Sequence, residues 1–255
     1  MGSLNKLAKL VCGGDEVDAA QGTCEVSKIL LHLRTILVSI LDELDALGAQ
    51  SPERISLYGP FLTRSLLEVA VTALIGRIDP TRVLVVKRVQ EHGNYDTTKA
   101  WNAAIRWQGD VLDKKVGDLW TPERSYKEMT KALFGDYYVE LYWKTALEKI
   151  QDPEPLGGSW LAAIRSKSIE EFANSRRELV SKLYSESSKG IHSEFVVPPG
   201  SKYDKVTVAN MAASVIEVLS ELGLLVNLLP HIAYTMPKMD ACAIFTELES
   251  VEVLQ

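Results

Sequence analysis

The chain has 255 residues, 46% of them hydrophobic and 24% charged, and a net charge of −6. This composition is that of an ordinary globular protein with material for a substantial core. Its acidic balance gives no global attraction for a phosphate backbone, so any contact with nucleic acid would need a local basic patch or a partner.

The first long element is Val26 to Leu47, where apolar residues recur three and four apart and make one helical stripe. Ser51-Pro52-Glu53-Arg54 opens the next helix, because serine caps free amides and proline at the first helical position loses no hydrogen bond. Gly59-Pro60 is expected to restart or kink that helix, which then continues from Phe61 to Ile78. Asp79-Pro80 starts a helix to about Glu91, although Val83-Leu84-Val85-Val86 would also suit a buried strand. His92-Gly93-Asn94 ends it, and Thr97 to Leu112 reads as an amphipathic helix with Trp101, Ala104, Ile105 and Leu112 inward. Helices are expected from Pro122 to Phe134 and from Tyr137 to Ile150.

Residues 151–159, QDPEPLGGS, hold two prolines and two glycines and read as a surface loop, or as a boundary between 1–150 and 160–255. Ser168-Ile169-Glu170-Glu171 is a capping-box pattern at the head of a helix that reaches Leu183 and Tyr184. Another helix runs from near Asp204 to about Leu228, and the tail beyond Pro230 is ambiguous. The fold class is therefore all-α: a single helical-bundle domain.

Cys12, Cys24 and Cys242 are scattered, with no CxxC pair or zinc spacing, and read as reduced thiols of a cytoplasmic protein. No secretory leader is expected, and Met1-Gly2 lacks the Ser or Thr at position 6 that myristoylation requires. The most apolar run, Leu222 to Leu229, is far short of the ~20 residues of a membrane span, so no membrane contact is expected. The stripes of Val26–Leu47 and Val208–Leu222 together carry more apolar face than a small bundle needs, which predicts a homodimer or a covering partner protein. There is no phosphate-cradling glycine loop, no HExxH and no GxSxG, and no metal or cofactor is expected.

Two stretches remain as candidate chemistry. In 183–199, LYSESSKGIHSEFVVPP, a helix carrying Leu183-Tyr184 and Ser187-Ser188-Lys189 ends near Ile191-His192. In 58–68, YGPFLTRSLLE, Arg64 and Glu68 share one helix face within an apolar segment. The first arrangement resembles the last core helix of HEPN-superfamily domains, whose form like LYxELSxxVH presents a histidine at the helix end; an Arg-Leu-Leu-Glu pattern like the second occurs in the early helix of some such families. The resemblance implies a compact, often dimeric helical bundle. It also implies metal-independent ribonuclease activity in prokaryotic toxin–antitoxin or antiphage systems, with RNA or a nucleotide as ligand. The usual motif is an arginine, a spacer of four to six residues, then the histidine; here the corresponding positions hold Ser185, Glu186 and Ser187.

On this resemblance His192 is the acid/base, because imidazole carries protons near neutral pH. Arg64 takes the place of the missing arginine as phosphate ligand. Glu68, Tyr184, Ser188 and Lys189 complete the substrate site. The basic run Arg82, Lys87 and Arg88 could add phosphate contacts or form one solvated face. His192 equally suits a helix cap, and Arg64–Glu68 a plain surface pair or a buried pair that fixes helix register. The alternative function is a catalytically inactive helical module, a scaffold or neutralising subunit; the absent arginine and acidic charge favour it.

Overall fold

A computed structural model describes residues 4–14, 24–96, 98, 104–109, 132–151, 158–189 and 203–254. Among these there are helices and no strand. In chain order they are α1 (Asn5–Cys12), α2 (Glu25–Leu47), α3 (Pro52–Ile78) and α4 (Pro80–Glu91). Then comes α5, which runs from Asp136–Tyr138 through a π-helical turn, Val139–Trp143, into Lys144–Ile150. The last four are α6 (Ser159–Arg165), α7 (Ile169–Lys189), α8 (Lys205–Asn227) and α9 (Lys238–Glu249).

Helices α3 and α8 form the centre. From Leu66 to Ile78 almost every α3 side chain is buried, and α8 is enclosed from Val215 to Asn227. α2 packs along α3, α1 lies across α2 and α8, and α7 covers α3 and α8 from another side. One continuous core runs from Leu4 to Leu248, and a smaller cluster joins Leu47, Ile55, Tyr203, Val208 and Leu254 at one end. The two apolar stripes expected to need a partner lie inside this core: Leu30, Leu37, Leu41 and Leu44 of α2, and Val208, Val215 and Leu219 of α8, are all buried. α8 has the length and, at mean hydropathy 1.5, the apolarity to cross a membrane, but 72% of its most apolar window is buried inside the protein.

Several local signals act as the sequence suggests. Ser168 and Glu171 form the reciprocal capping box, with the Ser168 N–H donating to Glu171 at 2.9 Å and the Glu171 N–H to Ser168 Oγ at 3.3 Å. Asp204 caps α8 by accepting from the Thr207 N–H at 2.8 Å. The Val83–Val86 run is helical, within α4.

Two expectations are corrected. Of the restart or kink expected at Gly59-Pro60, the restart does not occur: α3 runs from Pro52 to Ile78 with Pro60 inside. An interior proline costs ~3 kcal/mol. Here α2 and α8 clamp the helix on both sides of it. Gly59 makes the clamp possible, because a Cβ there would stand 2.3 Å from Cγ1 of Val208. The second correction concerns Thr97–Leu112. Its described residues 104–109 are not helical. Their carbonyls are taken by other elements: Thr72 Oγ1 donates to Ile105 O at 3.3 Å and the Leu133 N–H to Trp107 O at 2.9 Å. Ile105 is buried as expected of an inward residue, and Trp107 is buried as well, but in a non-helical segment that turns at 107–108 rather than in a helix. Residues 122–131 of the helix expected at Pro122–Phe134 lie outside the described residues; 132–135 form a turn.

Arg77, near the end of α3, is the least ordinary core residue. It is 3% exposed and has no carboxylate partner among the described residues. Its Nη1 donates to the carbonyls of Leu10 and Val11 at 3.1 and 3.2 Å; Nη2 donates to Asn227 Oδ1 at 3.0 Å and to Tyr234 O at 3.3 Å. Leu10 and Val11 end α1, where carbonyls lack intrahelical partners and the helix dipole favours a cation. Burial lowers the Arg77 pKa to about 10, which leaves it charged at neutral pH. Arg77→Ala would strand these acceptors and is expected to cost at least ~3 kcal/mol in urea denaturation, against under ~0.5 kcal/mol for the exposed Arg88→Ala. Equal losses from the two would contradict this role.

Candidate functional site

Arg64 and Glu68 sit one turn apart on α3, and Tyr184 reaches them from α7. Arg64 Nε and Nη2 donate to Glu68 Oε1 at 3.2 and 3.3 Å. Nη2 also donates to the Tyr184 hydroxyl at 2.8 Å, and the guanidinium carbon lies 4.7 Å from the centroid of the same ring. α7 presents Tyr184 here because its neighbours Leu183 and Ser187 are buried, which fixes the rotation of the helix. Carboxylate and ring thus hold the guanidinium from two sides. Nη1 makes no hydrogen bond with a described residue.

Arg64 and Glu68 line a cleft of about 630 Å³ between α2, α3, α4 and residues 104–106. That size lies within the ~300–1,000 Å³ of small-molecule sites. Its apolar lining comes from Ile29, Leu33, Val69, Val83, Val86 and Ile105. Its charged lining holds four cations, Lys28, Arg64, Lys87 and Arg106, against one carboxylate, Glu68. His32 of α2 lines the same cleft. In a chain of net charge −6 this is a local reversal of sign.

Of the basic run on α4, only Lys87 serves the cleft. Arg82 is buried and donates to the Tyr138 hydroxyl at 2.8 Å, which in turn donates to Asp79 at 3.2 Å. Burial pushes the Tyr138 pKa up, so its phenol keeps the proton it donates. Arg88 lines a separate groove with Leu84, Val85 and Val89. Ser188 Oγ donates to the Tyr184 carbonyl at 2.6 Å, and Lys189 is the exposed last residue of α7; neither lines the cleft. His192 lies outside the described residues. Among the described residues no group of His, Cys, Asp and Glu could hold a metal ion.

Sequence reasoning missed Lys28, His32 and Arg106. Lys28 and His32 lie one turn apart on α2, but only the packing of α2 against α3 sets them opposite Arg64. Together the fold and the site define an all-α protein with a cation-lined, aliphatic-floored cleft around a braced arginine. No protein-family model matches the chain, nor does any curated protein or solved structure.

Glu25, the first residue of α2, bridges Lys87 of α4 at 2.8 Å and Lys28 at 3.1 Å; Lys87 also contacts Glu91. Hydrogen bonds from Lys87 and then Lys28 hold the Glu25 carboxyl down to about 2. A depressed carboxyl favours the folded network above its ordinary range, and the effect fades only as pH falls toward 2, so the bridge is intact at neutral pH. Glu25→Gln frees Lys28, leaves Lys87 with Glu91 alone, and is expected to tighten inorganic pyrophosphate roughly threefold to tenfold by calorimetry at low salt. Unchanged or weaker binding would show that these cations do not hold an anion.

Proposed function

We propose that the protein holds the phosphate of an RNA strand or nucleotide in the Arg64 cleft and acts on it as an HEPN-like, metal-independent ribonuclease of a toxin–antitoxin or antiphage system. One observation carries the reading: a guanidinium braced by Glu68 and Tyr184, with Nη1 uncommitted among the described residues, in a cleft lined by three further cations. A braced arginine loses little rotamer freedom when it takes a phosphate through paired hydrogen bonds. The aliphatic floor suits the flat face of a base.

The reaction is transesterification. An imidazole takes the proton of the 2′-hydroxyl, the 2′ oxygen bonds to phosphorus, and the P–O5′ bond breaks as the departing oxygen gains a proton. Arg64 would neutralise the charge that builds on the phosphate oxygens. His192 is the imidazole that the resemblance assigns; His32 is the one that lines the cleft.

The test is cleavage and binding of total RNA with chelator present. Arg64→Ala is expected to lose at least tenfold in binding, and Arg64→Lys to recover little, since an ammonium cannot form the fork. The Glu68 side chain is 39% exposed, so removing Arg64 leaves it solvated and the fold intact. His192→Ala is expected to lower cleavage by ~10²–10⁴ with binding retained. If the same loss followed His32→Ala instead, the imidazole would be reassigned. Wild-type protein that neither binds nor cleaves RNA, alone or with its natural partner, would leave the inactive interaction module as the reading.

A further inference from the structure

We infer that the α2–α3 pair carries a track for single-stranded RNA, in which Tyr58 and Phe61 stack bases next to the cleft; this rests on the cleft's proposed affinity for RNA phosphate. The two rings wall a groove of about 320 Å³ between the end of α2 and the start of α3. They are unusually open for aromatic side chains, at 49% and 54% exposure.

Register places groove and cleft on one side. With 3.6 residues per turn, Arg54, Tyr58, Phe61, Arg64 and Glu68 form a single stripe along α3. On α2, Ile29 in the cleft and Glu43 and Leu47 in the groove likewise fall on one face. Phe61 and Tyr58 stand about 4.5 Å and about 9 Å from Arg64 along the axis, at 1.5 Å per residue.

The order of chemistry along the stripe is guanidinium, two aromatic rings, guanidinium. Arg54 has no carboxylate partner among the described residues; it donates to Gln50 Oε1 at 2.9 Å. Glu43 and Gln50 line the groove opposite the rings. A carboxylate there repels phosphate and accepts from base N–H groups, the N3–H of uracil among them, so the groove takes a base while Arg54 and Arg64 take the flanking phosphates. Stacking on aromatic rings is tolerant of sequence, because every base has a π face. A second copy of this chain is the competing occupant, but a self-association face gives no reason for the stripe to run into a cation-lined cleft.

The experiment is calorimetry with 2′-O-methyl pentauridylate, which lacks the attacking hydroxyl, and with uridine monophosphate, on wild type and on the Tyr58→Ala/Phe61→Ala double variant, with sedimentation of both proteins. Wild type is expected to bind the pentanucleotide at least tenfold tighter than the mononucleotide. In the double variant that ratio should fall to near one, while Phe61→Trp, which keeps a stacking surface, should retain it. A wild-type ratio near one, with mononucleotide bound, overturns the track and leaves the cleft standing. So does a double variant that turns a dimer into a monomer and keeps the ratio, since the stripe would then join two copies. If neither probe binds wild type, the cleft reading has failed and the track falls with it.

Discussion

A buried cation with no carboxylate partner among the described residues ties the central helices together. Arg77 stabilises itself on the frayed carbonyls of α1, on the Asn227 amide at the end of α8 and on the Tyr234 carbonyl, so three separate stretches meet at one guanidinium on α3. Asn227 is satisfied in the same knot: its Nδ2 donates to Leu10 O at 3.0 Å and Gly223 O at 2.8 Å, and its Oδ1 also accepts from the Met236 N–H at 3.2 Å. Such a knot has few alternative solutions, because each buried polar group left over would carry its full desolvation cost. Near the other end of α3, Gly59 lets Val208 come into contact. α3 is fixed at both places, and Arg64 lies between them on the face that opens to the cleft. Sites built on packed helices hold their geometry better than sites on loops.

The electrostatics follow from this placement. An acidic chain gathers four cations at one cleft and lets Glu25, Glu68 and Glu91 each engage some of them. Those carboxylates hold Lys28, Arg64 and Lys87 in place. A phosphate must compete with them, so affinity there depends on salt and on the ligand's charge more than on contact area.

Much of the fold is legible from local signals. The periodicity of Val26–Leu47, the Ser168–Glu171 box and the Asp204 cap each depend on residues within a few turns of one another. The misreadings arise where distant partners decide: Pro60 stays helical because α2 and α8 clamp it, and 104–109 is not helical because Thr72 and Leu133 take its backbone groups. The site divides in the same way. Arg64–Glu68 could be read from their spacing, and Tyr184 from the resemblance, yet their 120-residue hydrogen bond is a fact of packing. Lys28, His32 and Arg106 gave no signal, since a lone cation or imidazole on an amphipathic helix reads as solvated surface. The buried ion pair of Arg176 and Glu221 was equally silent; with Glu221 at 1% exposure it joins α7 to α8 and so helps to hold Tyr184 in place.

The central claim is that Arg64 receives a phosphate. A crystal structure of the protein with a bound uridine monophosphate tests it most directly. The account predicts a phosphate oxygen within about 3 Å of Arg64 Nη1, with Lys87 turned from Glu25 toward the ligand and the base on the aliphatic floor. A nucleotide bound elsewhere, with Arg64 still held only by Glu68 and Tyr184, would contradict it.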